Sequence, residues 1–170
     1  KLDTKLDAQT VEAEIVWAKK NGLDPIKYGT KSKHPQAKKI AQIYSQYQKT
    51  LQHKKRFDAE DLVKQCLELF KKQPKVLKIY QDRFSHVLID EYHELPVVYL
   101  QWVKLITVRN KNIFVTADPH APVDILQSSG IKNIQQFTKD FKSTKVFVLE
   151  QNYRSAQNIM SLFNALLQKN

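Results

Sequence analysis

Apolar residues recur at helical spacing through the first half of the chain. Ile40, Ile43, Tyr44, Tyr47 and Leu51 fall on one face of an expected helix. Another is expected from Val11 to Lys20, closed by Asn21-Gly22, a pair suited to a helix C-terminus. The Lys, Ser, Gly and Pro residues from about Asp24 to Pro35 read as a loop. Asp58 is placed to cap a helix opening at 57–62 with an acidic first turn. Pro74 suits the first position of a further helix that runs to about Phe84.

After residue 85 the pattern changes to short apolar runs separated by helical stretches. Val87-Leu88-Ile89 stops at Asp90-Glu91, Ile113-Phe114-Val115 at Thr116-Ala117-Asp118, and Val146-Phe147-Val148-Leu149 at Glu150. Helices are expected near Val97 to Val108 and Ile134 to Phe141. Ile159, Leu162, Phe163, Leu166 and Leu167 form one face of a last helix. Strands buried on both faces and joined by helices imply a parallel, three-layer α/β sheet. No internal repeat or low-complexity tract interrupts this order.

The 170 residues suffice for one ordinary domain, or one domain and part of another. With 42% apolar and 26% charged residues the balance is that of a globular protein. No apolar run approaches the roughly 20 residues needed to span a bilayer, no signal peptide opens the chain, and no membrane partner is expected. Met160 is the only methionine, which reads most simply as an excised fragment. Cys66 is the only cysteine, so a reducing, cytoplasmic setting is the expectation.

The net charge of +11 is unevenly spread. Residues 1–83 hold 19 basic and 10 acidic side chains, and residues 84–170 hold 9 and 7. Lys31, Lys33, Lys38 and Lys39 form one run; Lys54, Lys55 and Arg56 form another. Such clusters favour phosphate backbones through counterion release, although a solvated lysine-rich surface reads the same way. Tyr28, Tyr44 and Tyr47 lie between them, as stacking groups or as core.

In open parallel sheets ligands gather beyond the carboxyl ends of the strands. All three strand ends here are acidic. An apolar strand followed by Asp-Glu has the form of a Walker B site, in which one carboxylate holds Mg²⁺ and the other orients or deprotonates water. A strand simply meeting solvent has that form too. Arg154, beyond the third strand and ahead of a helix, is placed to face the same crevice; its plainer role is a surface ion pair beside a capping Ser155.

Taken in order, these segments are similar to the UvrD/Rep/PcrA-type superfamily 1 DNA helicases. Residues 80–92, from Tyr80 to Tyr92, resemble the approach to that family's motif II, and Val148 to Ser155 resembles its motif IV. Phe57-Asp58-Ala59-Glu60-Asp61-Leu62 is similar to its Leu-Asp-Phe-Asp-Asp-Leu signature, and residues 18–23 and 43–48 resemble family sequence upstream of it. The resemblance implies a P-loop NTPase (RecA-like) partial parallel sheet with flanking helices, preceded by a mostly helical subdomain. It implies a 1B-like unit at 1–55, the second half of domain 1A at 56–150, and the start of domain 2A at 151–170. Asp90 then holds Mg²⁺, with Glu91 beside it as catalytic base. Arg154 meets the γ-phosphate, and Asp118 couples that site to the DNA groove, with His93 also at the cofactor. The implied activity is DNA-stimulated ATP hydrolysis driving translocation and unwinding. The partners are single-stranded and duplex DNA and the remaining helicase domains. ATP and Mg²⁺ belong to the full-length parent, with neither held tightly by this chain.

The match has gaps. Gly22, Gly29 and Gly130 are isolated, so no G-x-x-x-x-G-K-[ST] phosphate loop is present, and motifs V and VI are absent. The chain by itself is therefore not expected to hydrolyse ATP. Motif III carries Ala121, Asp124 and Gln127 where the family has Gln, an aromatic residue and Arg; motif II carries His93 and Glu94 where the family has Gln and Asp. Two other classes remain open: a DNA-binding or scaffold module without ATPase activity, and a hydrolase with Zn²⁺ or Mn²⁺ on Asp90, Glu91, His93, Asp118 and His120.

Overall fold

The computed structural model describes residues 6–120 and 130–167. Five helices come first: α1 (Ala8–Lys20), α2 (Pro25–Lys31), α3 (Ala37–His53), α4 (Ala59–Lys72) and α5 (Pro74–Arg83). Strand β1 (Val87–Ile89), a 3-10 turn (Tyr92–Glu94), α6 (Val97–Thr107) and β2 (Ile113–Val115) follow. Helices α7 (Gly130–Asp140) and α8 (Gln157–Leu167) complete the order. The protein is α/β, mostly helical with a two-stranded parallel sheet. None of the described helices is long and apolar enough to cross a membrane.

The expected loop at 24–35 contains a helix. Asp24 accepts from the Lys27 N–H at 2.8 Å and Pro25 occupies the first turn, so α2 starts on ordinary capping chemistry. Tyr28 is buried from α2 beside Ile40 and Tyr44 of α3. A methyl group at Gly29 would lie only 3.1 Å from that of Ala41, so the bare glycine permits this close approach. Burial pushes the Tyr28 hydroxyl up to about 12, helped by its 2.6 Å bond to Glu14. Tyr28 and Tyr44 are therefore core residues and not stacking platforms for DNA bases.

Helix α1 packs against α3, α4 and α6, and the centre of that junction is ionic. Lys19 is only 2% exposed, and its ammonium pairs with Asp58 and, at 2.9 Å, with Asp61. The Tyr47 hydroxyl donates to Asp58 at 2.9 Å, and the ammonium lies 5.1 Å from the Tyr47 ring centre. Asp58 also caps α4 by accepting from the Asp61 N–H at 2.9 Å. The acidic signature thus joins residues on both sides of position 55. Burial pushes the Asp58 carboxyl up, but Lys19, the Asp61 N–H and Tyr47 more than offset this and leave it below its ordinary value.

The sheet departs from expectation in two ways. Strands β1 and β2 pair in register, Leu88 beside Phe114, and these two side chains stay 75% and 59% exposed. Among the described residues one face is covered: Ile89, Ile113 and Val115 pack against Tyr92, Val103 and Phe137. The expected third strand does not form. Residues 146–149 satisfy the strand pattern but pair with none of the described segments, and Leu149 is 94% exposed. A strand is defined by its neighbour's hydrogen bonds, which local sequence does not supply. Helix α8 forms as expected, with Ile159, Leu162, Phe163 and Leu166 all exposed.

Replacing Lys19 with Met strands the buried Asp61 carboxylate and the half-buried Asp58, so the folded state is expected to lose about 3 kcal/mol, read from the denaturant midpoint. Asp58 has a folded pKa below its unfolded one, so its contribution is full above about pH 4 and fades as pH falls through the folded value. The gap between wild type and Lys19→Met should accordingly narrow below pH ~4; a gap that widens there would contradict this account.

Candidate active site

Parallel pairing brings the carboxyl ends of β1 and β2 side by side, and with them Asp90, Glu91, Thr116 and Asp118. The Thr116 hydroxyl donates to Asp90 Oδ1. The Glu91 N–H reaches both Asp90 Oδ1 and Thr116 Oγ1 at 3.1 Å. Backbone bonds at 2.9 Å continue the tie, from Thr116 N–H to Ile89 O and from Tyr92 N–H to Thr116 O. Both bonds to Asp90 fall on Oδ1, and Oδ2 accepts none from the described residues. That oxygen is a hard donor at a strand end, the type Mg²⁺ prefers, commonly through water.

Glu91 adopts the left-handed region, φ 51° and ψ 44°. A residue with a Cβ occupies that region at a cost of about 1–2 kcal/mol, here held by the bonds around Thr116 and by the Glu94 N–H donating to Glu91 O at 2.9 Å. The conformation folds the Glu91 side chain back, so that Oε2 sits 3.5 Å from His93 Nε2. His93 is 2% exposed, and its Nδ1 accepts from the Asp118 N–H at 3.2 Å. Asn133, buried on α7, donates to both His93 O and Leu95 O at 3.0 Å and fixes the turn from behind. Burial raises the hydroxyl of Tyr92, the turn's inward residue, to about 12.

Sequence reasoning missed Thr116 and Asn133. Thr116 carried a usable signal, since two parallel strands that end level must set their next residues side by side. Asn133 carried none, because it meets the turn from 40 residues away in sequence.

Arg154 is not brought to this cluster. It is exposed, its N–H donates to Asn152 Oδ1 at 2.9 Å, and the Ser155 N–H shares that oxygen at 2.8 Å. The Asn152 side chain, rather than Ser155, therefore organises this turn. Glu150 is exposed and follows no strand. Ala121, Asp124 and Gln127 lie outside the described residues.

The set expected for a transition metal, Asp90, Glu91, His93, Asp118 and His120, does not converge. Glu91, His93 and Glu94 instead bring one donor atom each within 4.8 Å of one another. The backbone N–H of His120 donates to Asp118 Oδ1 at 2.8 Å.

The seven basic residues are all exposed but form two groups. Lys31, Lys33, Lys38 and Lys39 lie at the N-terminal end of α3, and Lys54, Lys55 and Arg56 follow its C-terminal end. The intervening helix is about 25 Å long at 1.5 Å per residue. Lys38 and Lys39 oppose the helix dipole in the first turn, where cations are unfavourable. A hollow of about 630 Å³, lined by Val11, Ile15 and Ile43 and bordered by Asp7, Glu12 and Asp58, lies away from the strand ends. Its carboxylates oppose an anionic ligand.

The sequence model of the UvrD/REP helicase N-terminal domain matches residues 1–142. The chain belongs to the UvrD/REP helicase family. It is 32% identical over 170 residues to the ATP-dependent DNA helicase PcrA of Leuconostoc citreum, covering 99% of this chain and 23% of that protein. It is 34% identical over 135 residues to DNA helicase II of Haemophilus influenzae, covering 79% and 18%. The PcrA helicase of Staphylococcus aureus is 33% identical over 131 residues, covering 77% and 18%. The chain spans less than a quarter of the length of these relatives.

Asn133→Ala removes the donor shared by two carbonyls of the acidic turn. A loss of about 1–3 kcal/mol of stability is expected, with faster amide exchange at Tyr92 to Glu94; unchanged exchange there would remove Asn133 from the site's support.

Proposed function

We propose that this chain is part of the motor of an ATP-dependent DNA helicase, carrying the water-activating half of its ATP site. The observation that carries this reading is the Asp90-Glu91 pair at the end of β1, bonded to Thr116 at the end of the parallel β2. Asp90 presents Oδ2 for water-mediated Mg²⁺, which supplies electrostatic stabilisation of phosphate charge when bound. Glu91, one residue further and mostly solvent-facing, orients and deprotonates the attacking water. Asp118 links the site to the DNA groove, and Arg154 reaches the γ-phosphate once the second motor domain is in place.

This assignment accounts for the open surfaces. Segments 1–55, 56–150 and 151–170 are read as the 1B unit, the second half of a RecA-like domain 1A and the start of 2A. The phosphate loop and the further strands of a P-loop sheet then come from the parent's other segments. They cover Leu88 and Phe114 and pair with residues 146–149, and the second motor domain covers the apolar face of α8. A cytoplasmic setting suits the free Cys66. The basic groups at the two ends of α3 contact the DNA backbone over a span of several nucleotides.

The full-length protein should hydrolyse ATP faster with single-stranded DNA, and Glu91→Gln should reduce that rate by about 10²–10⁴-fold. DNA binding without hydrolysis in the unaltered protein would favour a scaffold whose motor is vestigial, as the sequence at Ala121, Asp124 and Gln127 allows. Replacing Lys54, Lys55 and Arg56 together with Ala should flatten the salt dependence of single-strand binding by about two in logarithmic slope. An unchanged slope would place the DNA path elsewhere.

A further inference from the structure

We infer that His93 is a positioning residue for the Glu91 carboxylate, tying the acidic turn after β1 to the backbone after β2 through its two ring nitrogens. This rests on the reading of Glu91 as the general base. A backbone N–H only donates, so the contact from the Asp118 N–H assigns the lone pair to Nδ1 and the ring proton to Nε2. Nε2 is buried and has no hydrogen-bond partner at normal distance among the described residues. The carboxylate it faces is Glu91 Oε2, at 3.5 Å. That is longer than an ordinary hydrogen bond, and a catalytic contact of this kind tightens when substrate is bound.

The two ends of the contact differ in freedom. The ring is buried, and its residue is held at the carbonyl by Asn133. The Glu91 side chain is 57% exposed and free to close the gap. The Nε2–H therefore sets where the carboxylate comes to rest, and a shift of the Asp118 backbone is transmitted to the base through the ring. His93 touches neither nucleotide nor water in this role. A metal ion shared with Glu91 and Glu94 fits less well. It would take the Nε2 lone pair, drive the proton to Nδ1 and set two donors against each other at Asp118. A glutamine also accepts with one atom and donates with another, so it can replace the histidine in kind.

The test is steady-state ATP hydrolysis by the full-length protein, with single-stranded DNA, for His93→Phe and His93→Gln beside Glu91→Gln. His93→Phe should lower kcat by about 10–100-fold and leave KM for ATP within about twofold, while His93→Gln recovers most of the rate. Equal losses in both His93 variants would reduce the residue to packing and overturn the proposal, as would an unchanged kcat in His93→Phe. Full hydrolysis in Glu91→Gln would instead overturn the underlying reading of the base. Should His93→Phe fail to fold, the ¹⁵N imidazole spectrum of the unaltered protein decides, the His93 signals being those lost in His93→Gln. A protonated Nε2 supports the tie, and a protonated Nδ1 excludes it.

Discussion

An ammonium group buried between two carboxylates fastens α1 to α4, the helix that packs in turn on α5 and α6. Removing Lys19, Asp58 and Asp61 from water has a high desolvation cost, offset only because charge, hydrogen bonds and an aromatic face converge on the same point. Asp58 serves three partners at once: Lys19, Tyr47 and the first turn of α4. The arrangement fixes how α1 and α3 sit on α4. Since α4 packs on α5 and α6, it also contributes to the placement of the frame beneath the strands.

The strand ends show the same economy in polar groups. Three donor–acceptor contacts among Asp90, Glu91 and Thr116 lock one strand end to the next and hold Glu91 in an unfavourable backbone conformation. Strain of this sort persists where neighbours over-determine it. Behind the turn, Asn133 supplies two hydrogen bonds and Tyr92 a packed ring from the buried side, leaving the carboxylates facing solvent. A rigid back and an exposed acidic front suit chemistry on a charged, solvated substrate.

Much of the helical frame was legible because caps and helical periodicity are local. Asp58, Pro74 and Asn21-Gly22 mark ends that the structure keeps. Helix α2 escaped notice because Pro25 and Gly29 look like loop residues until Tyr28 is seen buried against α3. The third strand was overread for the opposite reason. The pattern at 146–149 is correct for a strand, but pairing partners come from elsewhere. For the site, Asp90, Glu91 and Asp118 were visible as strand-end acids and Thr116 could have been placed by strand register, whereas Asn133 enters only through a contact 40 residues away.

The sequence by itself determined most of the helices, the acids after the two strands, the uneven charge and the family to which the chain belongs. These are properties of residue type and spacing along the chain. Tertiary structure alone decided that two of the three tyrosines are core, that Lys19 is buried, and that His93 stands between Glu91 and Asp118. Each of those depends on which distant segments meet. Burial and pairing arise from contacts in space, which no local pattern encodes.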